Sequence, residues 1–237
     1  MPDAASIPDS PAKTLRSDGA EARNRLLDAA LALFAEQGFA KTSTREIALA
    51  AQANIASISY YFGDKAGLYR AVFQDPRNSP TLDPGYASTV AQDVRGCIQG
   101  LLRGFVEPLK SGEQARQCMK LHFREMVEPT GMWQVEIDTN IKPAHALLTQ
   151  ALATHLGLPE ADDDIHRLAF QISGLGIMLH VGMDVVQAIR PSLISSAEAL
   201  DTYLDRLIDA AMALVDAEAR RRQTQSPSEP FTPTSTP

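Results

Sequence analysis

The chain contains no run of about eighteen uninterrupted apolar residues, so nothing in it reads as a membrane span. It also lacks sustained period-two alternation, which leaves strands little to be built from. Its first residues, MPDAASIPDSPAK, carry Asp and Pro where a secretory leader needs basic and then apolar residues. The expected compartment is therefore the cytoplasm. Positive charge is in deficit: 22 Lys and Arg against 29 Asp and Glu leave a net charge of −7. That argues against a chain that coats nucleic acid indiscriminately. There are only two cysteines, Cys97 and Cys118, each inside a helical pattern and without a second Cys at ligand spacing. A redox pair is conceivable, and two buried reduced thiols are the plainer reading. No Cys-x2-Cys or His-x3-His pair exists, and Asp162–Asp164 reads as a helix start, so neither metal nor cofactor is expected. A Gly-x-Ser-x-Gly elbow, a phosphate loop and paired carboxylates in an apolar setting are all missing, which sets aside the obvious enzymes.

What is present is helix. At 237 residues the chain can bury a substantial core, and the expected fold class is all-α. Residues 42–62, TSTREIALAAQANIASISYYF, hold two short helical patterns separated by a polar break. Ser43 and Glu46 are spaced as a capping box, so a helix should start at Thr44. Ile47, Ala48 and Ala51 give it a narrow apolar stripe. Asn54 is a candidate N-cap for a second helix of about two turns, too short to serve as a core helix. Ile58 and Phe62 should face inward, leaving Ser57, Ser59, Tyr60 and Tyr61 toward solvent. Such a face suits phosphates and base edges. A surface hairpin with no ligand has the same pattern, so the flanks matter. Upstream, Arg23 to Gln37 is strongly amphipathic and should stop at Gly38. Downstream, Phe62-Gly63-Asp64-Lys65 is a turn before a helix bearing Leu68, Val72 and Phe73.

The order RNRLLDAALALFAEQGFAKTSTREIA through SYYFGDKAGLYRAVF resembles the N-terminal domain of the TetR family of transcriptional regulators. The resemblance covers residues 21–74, and QANIASISYYFGDKAGLY looks like its CecR-like branch. One departure stands in the turn, where the family usually has Gly-Val-Ser and this chain has Gln52-Ala53-Asn54; a positive φ is then required of Gln52, with some strain. The resemblance implies a helix-turn-helix motif from Ser43 to Phe62 that binds double-stranded operator DNA. It implies phosphate contacts from Thr44 and Ser57, phosphate or sugar contacts from Tyr60 and Tyr61, and a phosphate contact from Lys65. Arg45 is the best placed base reader, able to pair with guanine, while Ile55, Ala56 and Ser59 offer small or apolar groups to a thymine methyl. Residues 21–75 carry six basic and six acidic side chains, so this unit relies on placement rather than bulk charge.

The expected domains are a tail at 1–19, a DNA-binding domain at 20–75, a helical effector-binding and dimerisation domain at 86–221 and a second tail at 222–237, with the Pro-rich DPRNSPTLDPG as boundary. Five helices are expected beyond it. The first carries Val90 to Phe105 and ends at Pro108. A capping box of Ser111 and Gln114 opens the second, and Pro143 kinks or restarts the third. The fourth runs from Ile165 to Ile189, and the fifth, from Ala197 to Arg221, is capped by Ser195 and Glu198. The last two have apolar stripes wide enough to pack on two sides, and with the family resemblance this implies a homodimer. TetR relatives place an effector pocket among such helices, which nominates Phe105, His122, Met126, Trp133, Phe170 and Met178, and an amphipathic or aromatic small molecule. The same residues at helical spacing also read as plain core. The function implied is a ligand-released repressor. The alternative is a lipid-binding or protein-interaction module that keeps the fold without an operator.

Overall fold

The computed structural model describes residues 11–75, 77 and 93–225. Every regular element among them is helical: α1 Pro11–Lys41, α2 Thr44–Ala50, α3 Ala56–Phe62, α4 Lys65–Phe73, α5 Val94–Lys110, α6 Glu113–Val127, α7 Met132–Glu136, α8 Lys142–His155, α9 Asp163–Val181, α10 Met183–Ile189 and α11 Ala197–Gln225. Of the expected tails at 1–19 and 222–237, residues 1–10 and 226–237 lie outside the described residues, as does the expected 75–85 boundary apart from Asp75 and Arg77. Residues 11–19, by contrast, belong to α1, and 222–225 continue α11. α1 breaks at Gly38 (φ 81°), the position read as its end.

The chain forms two compact units, Met1–Pro80 with Ser111–Ile137, and Thr81–Lys110 with Asp138–Pro237. In the first, α1 supplies Leu26, Leu27, Ala30, Leu31 and Phe34, all at most 1% exposed. Against them pack Ile47 of α2, Ile58 of α3, Leu68 and Val72 of α4, and Leu121 of α6. Each such side chain stabilises the unit by about 1.5–3 kcal/mol relative to exposure. The membership of α6 and α7 differs from the expected boundary, which put 86–221 in one domain. Charged groups fasten α6 to the end of α1. Arg124 donates to the carbonyls of Ala35 (3.4 Å) and Glu36 (3.0 Å), occupying acceptors that a helix terminus leaves open. Lys120 pairs with the Glu36 carboxylate.

In the second unit α5 lies against α8, α9 and α11, and its Cys97, Ile98, Leu102 and Val106 are fully buried. Burial pushes the Cys118 thiol of the first unit up to about 12, so both cysteines are enclosed and Cys118 is a poor nucleophile. Several helix ends depart from the expected ones. α5 runs two residues past Pro108, because a proline in the last turn forfeits one bond only. Gly112 (φ 94°), not Ser111, is the N-cap of α6. A π-helical turn at Ile137–Ile141 separates α7 from α8, with Pro143 in the first turn of the latter, which is the restart foreseen. The long helix expected from 165 to 189 is two, α9 and α10, bent by 66° at Gly182. Asp162 caps α9, accepting from the amides of Asp164 and Ile165, and Arg222 holds its carboxyl well below the usual carboxylate range. Ser196, one residue after the predicted Ser195, accepts from Ala199 N–H at the start of α11. No single helix among the described residues is long and apolar enough to cross a membrane; the bent α9–α10 pair reaches that composition only jointly.

Candidate nucleic-acid interface

α2 is capped reciprocally: Ser43 Oγ accepts from Glu46 N–H (3.1 Å) and Glu46 Oε2 accepts from Ser43 N–H (2.9 Å). At its other end the chain turns by a Schellman arrangement. Gln52 N–H reaches Leu49 O (3.1 Å) and Ala53 N–H reaches Ala48 O (2.9 Å), which places Gln52 at the left-handed position after the cap. Its φ is 51°, the one positive value at a non-glycine among the described residues. Two residues on, Asn54 Oδ1 accepts from Ala56 N–H (2.9 Å), so α3 begins on an Asn cap with Ile55 already helical. The helix-turn-helix is thus a C-cap and an N-cap run together across four residues.

α3 buries Ile58 and half-buries Phe62, while Ile55, Ala56, Ser59 and Tyr60 are exposed and Ser57 and Tyr61 partly so. Tyr60 is 83% exposed and meets Tyr61 edge to face, the ring centroids 4.9 Å apart. On α2, Arg45 is exposed and Thr44 partly exposed. The outward residues predicted to touch DNA therefore do lie outward. Lys65 is not loose: its ammonium sits over the Phe39 ring (4.5 Å) and donates to Ala40 O (3.4 Å), a cation–π seat that holds the charge beside the motif. Three supporting contacts were not legible beforehand. Arg25 Nε donates to Ala51 O (3.2 Å), pinning α1 to the end of α2. Arg23 lies over the Phe62 ring at 5.4 Å. Gly67 lets α4 pass so close to the end of α3 that a Cβ there would stand 1.9 Å from Phe62 O. The turn also uses Gly63 (φ 82°) and an Asp64 cap to Gly67 N–H (2.7 Å).

The six residues nominated for an effector pocket divide between the two units. His122, Met126 and Trp133 belong to the first and Phe105, Phe170 and Met178 to the second. His122 is buried, lies 4.3 Å from the Phe73 ring centroid to centroid, and its Nδ1 is 2.9 Å from Cys118 O. Phe105 packs directly on Gly176 of α9, and His180 Nε2 donates to its carbonyl at 2.7 Å. Both therefore occupy packing positions. Phe170 and Met178 are 64% and 58% exposed, Phe170 stacking on the His145 ring (4.5 Å between centroids), and Val181, Val185 and Ile189 of α9 and α10 are exposed as well. α11 contributes no large exposed apolar side chain, only small residues such as Ala210, Ala213 and Ala217. Among the described residues no cluster of three or more His, Cys, Asp or Glu is placed to hold a metal.

A short exposed helix, braced from behind and flanked by Arg and Lys, on an all-helical frame, defines a helix-turn-helix DNA-binding protein. Comparison with known proteins narrows the class. Residues 26–72 match the bacterial regulatory proteins of the tetR family, and residues 94–214 match the C-terminal domain of the HTH-type transcriptional dual regulator CecR. The chain belongs to the TetR family of transcriptional regulators, and its members are not enzymes. It is 28% identical over 214 residues to CecR of Shigella flexneri, covering 78% of this chain and 90% of that one. Its fold is similar to that of HlyIIR, a hemolysin II transcriptional regulator (TM-score 0.57, 20% identity, 81% of this chain and 97% of that one). It is similar also to NalD of Pseudomonas aeruginosa (TM-score 0.52, 16% identity, 83% and 97%).

Proposed function

We propose that this regulator is a cytoplasmic repressor that binds a pseudo-palindromic operator as a homodimer and leaves it when a small amphipathic or aromatic molecule binds the C-terminal unit. The observation that carries the reading is the outward face of α3, with Ile55, Ala56, Ser59 and Tyr60 exposed between Arg45 and the seated Lys65. Two such helices enter successive major grooves when they stand about 34–36 Å apart. The exposed apolar side chains of α9 and α10 support self-association, since a monomer would leave Phe170, Met178 and Ile189 in water. An effector acts on operator affinity only through unequal affinity for the two spacings. The CecR relative is described as a dual regulator, so the sign rests on the release step.

The test is a footprint and salt-dependent titration on DNA upstream of the protein's own gene. Arg45→Ala should lose about 1–3 kcal/mol and relax preference at one base pair, while Lys65→Ala should weaken all sequences alike and flatten the salt slope by about one. Uniform loss from Arg45→Ala would demote it to a phosphate contact. No retarded band with any upstream fragment, or a monomer in light scattering, would favour a module that kept the fold without its operator. Tighter binding on addition of effector would reverse the sign.

A further inference from the structure

Glu125 is the one acidic side chain among the described residues that is completely buried, at 0% exposed. Its carboxylate is saturated with donors from three places. Oε2 accepts from the Tyr69 hydroxyl of α4 (2.7 Å) and from Thr130 Oγ1 (3.0 Å). Oε1 accepts from the backbone amides of Thr130 (2.7 Å), Met132 (3.0 Å) and Trp133 (3.1 Å). A carboxylate is acceptor-only with about four lone-pair sites, so this arrangement uses all it has. Tyr69 is itself enclosed, 3% exposed, its ring edge-on to Phe34 (4.9 Å) and Phe39 (5.1 Å). Burial and the neighbouring Glu125 carboxylate both push its phenol up, so it stays a donor. One residue of α6 thereby ties the helix behind the reading head to the first turn of α7. Beside it on the same helix, His122 lies against Phe73 of α4, and Arg124 caps the end of α1.

Resting on the reading of α2 and α3 as the DNA interface, we infer that Glu125 is a positioning residue: through Tyr69 it makes α4, α6 and the start of α7 move as one body, so that DNA held by the reading head is registered at Trp133. The route is continuous in the structure. α3 ends against Gly67 of α4, two residues before Tyr69; Tyr69 donates to Glu125, and Glu125 accepts the amide of Trp133. A carboxylate whose role is only to close the 128–132 turn would need the three amides and not Tyr69.

The chain has a single tryptophan, so its emission reports on this spot alone. Full-length protein is titrated with a labelled duplex from its own upstream region, following DNA anisotropy and Trp133 emission together. In the wild type both should change with one midpoint. Tyr69→Phe keeps the ring in its aromatic cluster and removes only the hydroxyl; it should still give saturable anisotropy while the emission change falls at least fivefold. Glu125→Gln with Tyr69 intact should keep wild-type behaviour, because its carbonyl oxygen can take the three amides and its NH2 can donate to the Tyr69 and Thr130 hydroxyls, and loss of the emission response in this variant would overturn the inference. A full emission response in Tyr69→Phe, or DNA binding by the wild type with a silent Trp133, overturns the inference. Amide exchange at Thr130, Met132 and Trp133 supplies the second arm without DNA: these amides should exchange faster in Tyr69→Phe than in the wild type, and equal rates overturn the inference. Anisotropy that never rises, with exchange still accelerated, sinks the DNA reading and leaves the one-body linkage standing.

Discussion

Gln52 offers a clean test of how the helix-turn-helix is built. Its side chain is exposed, so a substitution there removes no packing, and its φ of 51° is set by the Schellman bonds of Gln52 and Ala53. A non-glycine residue in this region costs about 1–2 kcal/mol. Glycine escapes that cost but gives back about 0.4–1 kcal/mol through the freedom it has in the unfolded chain. Gln52→Gly should therefore stabilise the protein by about 0.5–1 kcal/mol. If both units melt in one transition, the midpoint should rise by about 1–4 °C, at the roughly 2–4 °C per kcal/mol typical of 150–250 residues. Urea unfolding should show the same gain as a shifted midpoint at constant slope. Gln52→Asn should fall between the two, since Asn tolerates the left-handed region, and Gln52→Val should lose about 1 kcal/mol or more, being β-branched at positive φ. A glycine variant that melts no higher than the parent, or a valine variant that melts with it, would refute the reasoning: the turn would then not be held at this φ in solution.

Gly67→Ala should act in the opposite sense, because its Cβ would lie 1.9 Å from Phe62 O and only backbone movement relieves that. Overpacking of this kind costs about 1–3 kcal/mol, and α3 should shift enough to weaken operator binding in the same titration; an unchanged melting point and affinity would show that the α3–α4 turn gives way freely. Stability should also decline as pH falls below the ordinary histidine value of 6.5, because burial lowers the pKa of both His122 and His180 from it. A histidine with a depressed folded pKa contributes its full share above the unfolded value, and that share is lost as pH falls through the folded one. His180→Gln, whose amide can still donate to Phe105 O, should flatten that slope in thermal melts taken across the range, and an unaltered slope would remove His180 from the account.

The local rules were legible where a residue type dictates a backbone event. Ser43 with Glu46, Asp162 and Gly38 follow from capping geometry, the positive φ of Gln52 follows from the glycine that the TetR resemblance puts in its place, and all are found. The split at Gly182 was not, because an isolated glycine in an apolar helical pattern signals a break only weakly. Ser195 and Ser196 are equally good caps on paper, and the hydrogen bond chose the second. Harder still was the address of a helix. Periodicity shows that α6 has a buried face through Cys118, Met119 and Leu121, but not against which helix it is buried. The groups that settle it, Lys120, Arg124 and Glu125, are charged, and charged residues read as surface. The exposure of Phe170 and Met178 was not legible either, since an apolar side chain at helical spacing does not say whether it is enclosed or faces outward.

That placement of α6 changes how the first unit is held together. Read from sequence, the DNA-binding domain ends at residue 75 and residues 86–221 form one domain. The family match likewise begins its C-terminal part at 94. In the structure the first unit reclaims residues 111–137, so the backbone crosses from one unit to the other three times: after Pro80, between Lys110 and Ser111, and between Ile137 and Asp138. Two of these crossings lie at irregular backbone. Gly112 stands at φ 94°, open to rotation at no steric cost, and the last crossing falls inside the π-helical turn Ile137–Ile141, a kind of irregularity often found at functional sites. A pendulum motion of α4 alone would have to break the Tyr69–Glu125 bond and pull Phe73 from His122, leaving a buried carboxylate short of a donor at about 1–3 kcal/mol. Within the first unit α4 is therefore held to α6, and Tyr69→Phe should lower the stability of that unit by about 1–3 kcal/mol in thermal melts, an unchanged midpoint removing the bond from the account.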